Sequence, residues 1–87
     1  MNQLTTEETR RIVLDASVLR ARYQYEDAIR LIQKNIESFD PNLKLKGYLE
    51  MFYSSRDGGD HEFAKKVAKL IAKDDPKLPP IQDYLKE

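Results

Sequence analysis

Hydrophobic residues recur along this chain at the three- and four-residue spacing of amphipathic helices. A first helix is predicted over residues 6–22, with Ile12, Ala16 and Leu19 on one face and Thr5 with Glu8 at capping-box spacing. Further apolar residues widen this stripe: Val13, Leu14, Val18 and Ala21. We therefore expect the first helix to contact neighbours on two sides.

The same spacing predicts three more long helices and a short one. The second helix is expected over residues 25–38, and it ends before Pro41, which cannot continue a helix. The third is expected over residues 43–55 with Asn42 as its N-cap, and the fourth over residues 61–73 with Asp60 as its N-cap. A final short helix is expected near Pro80, with a shared apolar side formed by Ile81, Tyr84 and Leu85.

A short sequence pattern that occurs twice indicates that these helices form pairs. Each of the second and fourth helices has an aromatic residue in its first turn, Tyr25 and Phe63, and is followed by an Asp-Pro pair, and the two pairs lie about 35 residues apart. A repeat of that period predicts an all-α fold of antiparallel helix-turn-helix hairpins. We expect one domain over residues 1–87, with hairpin 1 at about 6–40, hairpin 2 at about 42–75 and a capping tail at 76–87.

The composition argues against several classes of function. Lys+Arg and Asp+Glu both number 15, so the formal net charge is zero, which argues against a nonspecific nucleic-acid-binding domain. There is no cysteine, so we expect no disulfide and no thiolate metal site. No apolar run approaches the length of a membrane span, and the beginning of the chain is polar. We expect a cytoplasmic protein with no membrane contact.

The repeated residues resemble a pair of degenerate tetratricopeptide repeats. In that family a small residue lies where helices cross, an aromatic residue opens the second helix of each unit, and a proline ends the unit. The matching residues in this chain are Ala16, Tyr25, Ala28 and Pro41 in the first unit and Ala64 and Pro76 in the second. The resemblance implies a short stacked array. The alternative is an unrelated four- or five-helix bundle whose Asp-Pro pairs coincide by chance.

A candidate partner-binding surface follows from this resemblance, because the first helix of each unit in the family lines a concave groove. Residues on one side of the first and third helices fall there: Arg10, Val13, Ser17, Arg20, Lys46, Leu49, Tyr53 and Arg56. The resemblance implies that the four cations form a basic trough that binds carboxylates, with Tyr53 as an aromatic contact. The alternative is that they are ordinary solvated charges.

The function we expect is a non-catalytic protein–protein interaction module of the adaptor, chaperone or inhibitor type, which binds an acidic peptide or a partner helix. We expect no catalytic residue and no cofactor. We also expect no metal site, because the acidic residues around His61 are typical of a glycine turn followed by a helix cap. Two repeats are few, so the tail or a second chain in a homodimer is expected to cover the open end. The alternative function is a regulatory protein that binds nucleic acid through a lysine-rich outer face: Lys34, Lys65, Lys66, Lys69 and Lys73.

Overall fold

A computed structural model describes residues 3–86, and within that range the chain forms five α-helices and no strand. The helices are α1 (Thr6–Ala21), α2 (Tyr25–Gln33), α3 (Lys44–Asp57), α4 (His61–Asp74) and α5 (Pro79–Leu85). Two 3₁₀ turns, Ile36–Ser38 and Pro41–Leu43, connect α2 to α3. The single domain predicted for residues 1–87 stays a prediction, and residues 1, 2 and 87 lie outside the described range.

The helices pack in chain order as an antiparallel hairpin array, which confirms the predicted all-α class. Each helix contacts the next one along the chain, and α1 also contacts α3. The three alanines at the predicted crossings, Ala16, Ala28 and Ala64, are at most 1% exposed. Such small side chains let helix backbones approach closely, so the bulk of the core comes from larger neighbours such as Phe39 and Phe52.

The corner between α1 and α2 is made without glycine or proline. Tyr23 adopts a left-handed backbone conformation, with φ of 65°. The N–H of Gln24 donates to the carbonyl of Leu19 at 2.9 Å, and that of Tyr23 donates to the carbonyl of Arg20 at 3.0 Å. This pair of bonds is the Schellman arrangement that ends many helices, here with a tyrosine where glycine is usual.

The predicted second helix is wrong at its C-terminal end. It was expected to reach residue 38, but α2 ends at Gln33 and a 3₁₀ turn follows. The side-chain amide of Asn35 donates to the carbonyl of Leu31 at 2.9 Å, and asparagine competes in this way for helix carbonyls. Ile36 and Phe39 are nevertheless buried, so the apolar pattern survives the change of backbone.

The start of the third helix also differs from the prediction. Asn42 is not an N-cap; α3 begins at Lys44, directly after the 3₁₀ turn Pro41–Leu43. The cap of that turn is Asp40, whose carboxylate accepts the N–H of Asn42 at 3.0 Å and also the hydroxyl of Thr6. Asp40 therefore ties the start of α1 to the connection before α3.

A close contact between elements explains the glycine inside α3. A Cβ atom at Gly47 would lie 2.6 Å from Ile36 Cδ1 and 2.6 Å from Phe39 Cε2. These distances are far below van der Waals contact, so only glycine lets α3 cross the 36–39 segment this closely.

The tail covers the last hairpin, as predicted. Ile81 in α5 is fully buried, and Tyr84 and Leu85 pack against the core. The ring of Tyr84 meets Phe52 edge-on at 5.1 Å between centroids, and its hydroxyl lies 2.8 Å from His61 Nδ1. The capping helix is thus fastened to both α3 and α4.

Candidate functional site

The side of the array formed by α1 and α3 contains a shallow depression of about 240 Å³. We call it the α1–α3 depression. Its lining is Arg10, Val13, Leu14, Ser17, Leu43 and Lys46. Four of the eight predicted partner-binding residues therefore lie together here, and Leu14 and Leu43 add apolar surface.

The two cations at this depression are exposed. Arg10 lies 3.4 Å from Glu7, but both side chains are largely solvated, so the pair contributes little. Lys46 is exposed and forms no ion pair with any residue between 3 and 86. An apolar floor flanked by available positive charge is suited to a segment that carries both apolar and acidic side chains.

The other half of the predicted site is a network of charged side chains in which the positive and negative charges balance. The Nε atom of Arg20 donates to Glu50 Oε1 at 2.7 Å, and its Nη1 atom lies 3.5 Å from Asp57 Oδ2. Ser17 Oγ lies 3.3 Å from the same Glu50 oxygen. Arg56 Nε lies 3.1 Å from the other oxygen of Asp57. We call Arg20, Glu50, Arg56 and Asp57 the α1–α3 ladder.

The ion pair between Arg20 and Glu50 is the strongest of the ladder because it is the most buried. The Glu50 side chain is only 8% exposed, whereas Arg56 and Asp57 lie at the surface edge. The hydrogen bond to Glu50 raises the pKa of the Arg20 guanidinium above its ordinary value, despite the opposing effect of partial burial. Arg20 is therefore firmly charged and held in place, and it is not free to turn towards a ligand.

The ring of Tyr53 lies close to both arginines of the ladder. The guanidinium carbon of Arg20 is 5.4 Å from the centre of this ring, and that of Arg56 is 5.1 Å away. Both distances are within cation–π range. Tyr53 is thus occupied by contacts within the chain, and Leu49 is half-buried against the core.

These contacts correct the picture of a continuous basic trough. Of the four predicted cations, Arg10 and Lys46 flank the depression, while Arg20 and Arg56 are matched by Glu50 and Asp57. The two acids were missed, although a signal was present. Glu50 and Asp57 fall four and eleven residues after Lys46, which places both on the same face of α3 as the predicted cations.

The glycine turn carries no metal-binding arrangement in the part of the chain described. No group of three or more potential ligands is found among residues 3–86. Asp60 accepts the N–H of Phe63 at 3.2 Å and caps α4, as predicted, while Asp57 belongs to the ladder. His61 faces Tyr84.

The lysine-rich outer face is a second exposed cationic surface. Its five members are exposed, and none forms an ion pair with a residue of the described range: Lys34, Lys65, Lys66, Lys69 and Lys73. Four of them lie on α4, on the side opposite to the buried Ala64 and Val67.

No helix between residues 3 and 86 has the length and apolar character needed to cross a membrane. Comparison with known proteins found no matching family model, no matching curated protein and no matching solved structure. The tetratricopeptide resemblance therefore stays a prediction that rests on the repeated residues alone.

Proposed function

We propose that this chain is a non-catalytic protein–protein interaction module. The α1–α3 depression binds a peptide or a partner helix that combines apolar and acidic side chains. The observation that carries the proposal is the lining of this depression, where Val13, Leu14 and Leu43 form an apolar floor beside Arg10 and Lys46.

The ladder supports the proposal by fixing the geometry next to the depression. Arg20 and Glu50 hold α1 against α3, so the spacing between the two helices is set before a ligand arrives. A preformed surface loses less conformational entropy on binding than a flexible one. The ladder itself is electrically matched, so the attraction for acidic residues is concentrated at Arg10 and Lys46.

The tetratricopeptide resemblance agrees with this assignment, because that family binds peptides along the first helices of its units. We extend the proposal to the adaptor, chaperone and inhibitor classes, and to a cytoplasmic setting. The proposal assigns no enzymatic role and no cofactor, and it includes no membrane contact.

Selection from a displayed peptide library with the intact chain tests the proposal. We expect enriched peptides to contain acidic residues next to apolar ones. Lys46→Glu reverses the charge at the depression and is expected to abolish the enrichment. Lys69→Glu changes the same residue type on α4 and is the matched control, which should retain it. Enrichment that survives Lys46→Glu but is lost with Lys69→Glu would place binding on the outer face.

The second candidate function is nucleic-acid binding through that outer face, and the exposure of its five lysines favours it. Phosphate contacts release counterions, so binding would weaken steeply as salt rises. A fluorescence titration with a duplex and with a single strand at several salt concentrations measures this slope. A steep slope that Lys65→Glu with Lys69→Glu removes would support this candidate, and the absence of binding at low salt would exclude it.

A further inference from the structure

The carboxylate of Asp57 bridges the two arginines of the ladder, but it is held only weakly. One of its oxygens lies 3.5 Å from Arg20 Nη1 and the other lies 3.1 Å from Arg56 Nε, and the side chain is 32% exposed. Asp57 is also the last residue of α3, at the negative end of the helix dipole, where a carboxylate is unfavourable. Exposed ion pairs of this kind contribute little to stability, so the side chain can leave this position at small cost.

The two arginines do not depend on this carboxylate for their positions. Arg20 is anchored by its 2.7 Å hydrogen bond to the buried Glu50. The guanidinium carbon of Arg56 lies 5.5 Å from the centre of the Phe52 ring and 5.1 Å from the centre of the Tyr53 ring. Both cations are therefore expected to stay in place when the carboxylate between them turns away. Two guanidinium groups then face one position, and guanidinium groups bind carboxylates strongly.

The α1–α3 depression and Asp57 lie along the same two helices. Arg10 and Lys46 flank the depression near the start of α1 and α3, whereas Arg20 and Asp57 meet near the ends of these helices. The two helices therefore run parallel. Lys46 and Asp57 are eleven residues apart in α3, which is roughly 16 Å along the helix axis. A partner segment in the depression reaches Asp57 if it continues along the helices by this distance.

We infer that Asp57 is an internal competitor that blocks a carboxylate-binding site between Arg20 and Arg56. In the free chain its own carboxylate occupies the site, and in the complex a carboxylate of the partner takes its place. The inference rests on the proposed function, since it assigns a second contact to the same acidic partner.

The internal competitor makes binding more selective. A partner carboxylate that replaces Asp57 makes the same contacts with the arginines, so the exchange by itself gains little affinity. A segment that carries only acidic side chains is therefore bound poorly at this site. A segment that also places apolar side chains on the floor of the depression has the additional contacts needed to displace Asp57. The device thus disfavours partners that are merely acidic.

Asp57→Asn tests the inference, because it removes the competing charge and keeps the size of the side chain. We expect the library-selected peptide to bind this variant about three- to tenfold more tightly than wild type in calorimetric titrations, because the arginine pair is vacant in a larger fraction of the chains. Asp15→Asn is the matched control, since Asp15 pairs with the exposed Arg11 at 3.3 Å and lies outside the lining of the depression. It removes the same charge and should leave the affinity unchanged.

A second probe separates this inference from the proposed function. Tetraglutamate carries carboxylates but no apolar side chain, so it has no use for the floor of the depression. At low ionic strength, where exposed charges are least screened, we expect it to shift the Nε–Hε resonances of Arg20 and Arg56 in ¹⁵N-labelled Asp57→Asn and to leave them nearly unchanged in wild type.

The two probes fail in different ways. Unshifted arginine resonances in Asp57→Asn, or a selected peptide that binds this variant no more tightly than wild type, would overturn the inference. The proposed function would survive that result as long as Lys46→Glu abolishes peptide binding. If the library yields no peptide, the proposed function fails, and the response to tetraglutamate alone decides the inference.

Discussion

Replacing Arg20 by methionine should destabilise this protein far more than an ordinary arginine substitution does. Methionine keeps an unbranched apolar stem against Tyr53, so the change removes mainly the charge and the donors. It leaves the Glu50 carboxylate, 8% exposed, with only the Ser17 hydroxyl at 3.3 Å for support. Removing one partner of a buried ion pair costs about 3 to 5 kcal/mol, and the remaining contact and the partial exposure of Arg20 reduce this to about 2 to 4 kcal/mol.

The chain offers a matched control in the same helix. Arg11 pairs with Asp15 at 3.3 Å, but the two side chains are 76% and 50% exposed. Arg11→Met should therefore cost less than about 1 kcal/mol. The double variant Arg20→Met with Glu50→Leu removes both buried charges, and we expect it to be more stable than Arg20→Met alone.

Urea unfolding followed by circular dichroism gives the free energies by linear extrapolation. Equal losses for Arg20→Met and Arg11→Met would refute the reasoning, because they would show that the buried pair has no special weight. A double variant no more stable than Arg20→Met would show that the unpaired Glu50 carboxylate is not the source of the loss.

Three further predictions concern the fold. Gly47→Ala should lower the free energy of unfolding by about 1 to 3 kcal/mol in urea titrations, because the new methyl group overlaps the fully buried Phe39 ring; a gain in stability, as helix propensity alone predicts, would contradict the close crossing. Ile81→Ala should cost about 2 to 5 kcal/mol in thermal or urea unfolding if α5 is part of the core, and an unchanged midpoint would show that the tail is dispensable. The hydroxyl of Thr6 and the backbone N–H of Asn42 donate to the Asp40 carboxylate and lower its pKa. The contribution of these bonds to the free energy of unfolding is therefore present above the ordinary aspartate pKa of about 3.9, and it is lost as pH falls through the lowered value. The stability difference between wild type and Asp40→Asn should accordingly shrink on acidification, and a difference independent of pH would contradict this assignment.

The sequence pattern was sufficient to predict where the helices lie and which of their faces are buried, because helix capping and apolar periodicity are properties of short segments. The capping box of Thr5 and Glu8 and the cap at Asp60 form as the spacing predicts. Ile36 and Phe39 fit the apolar pattern and are buried although the backbone leaves the α-helix there, whereas Leu14 and Val18, which also fit it, are 58% and 41% exposed.

What the pattern could not show depends on contacts between distant segments. The role of Gly47 appears only when α3 is placed against the 36–39 segment. The cations at Arg20 and Arg56 were expected to be available to a ligand, because the prediction counted the cations on this face and left out Glu50 and Asp57, which lie on the same face of α3. Charge matching between helices is a tertiary property, so counting cations on one face overestimates how basic a groove is.

The most direct test of the proposed function is a map of peptide-induced chemical-shift changes in the ¹⁵N-labelled chain, using an acidic, partly apolar peptide obtained from the library selection. We predict changes concentrated at the backbone amides of Val13, Leu14, Ser17, Leu43 and Lys46, and their disappearance in Lys46→Glu. Changes concentrated instead along α4, or an undiminished response in Lys46→Glu, would contradict the assignment of the α1–α3 depression as the binding site.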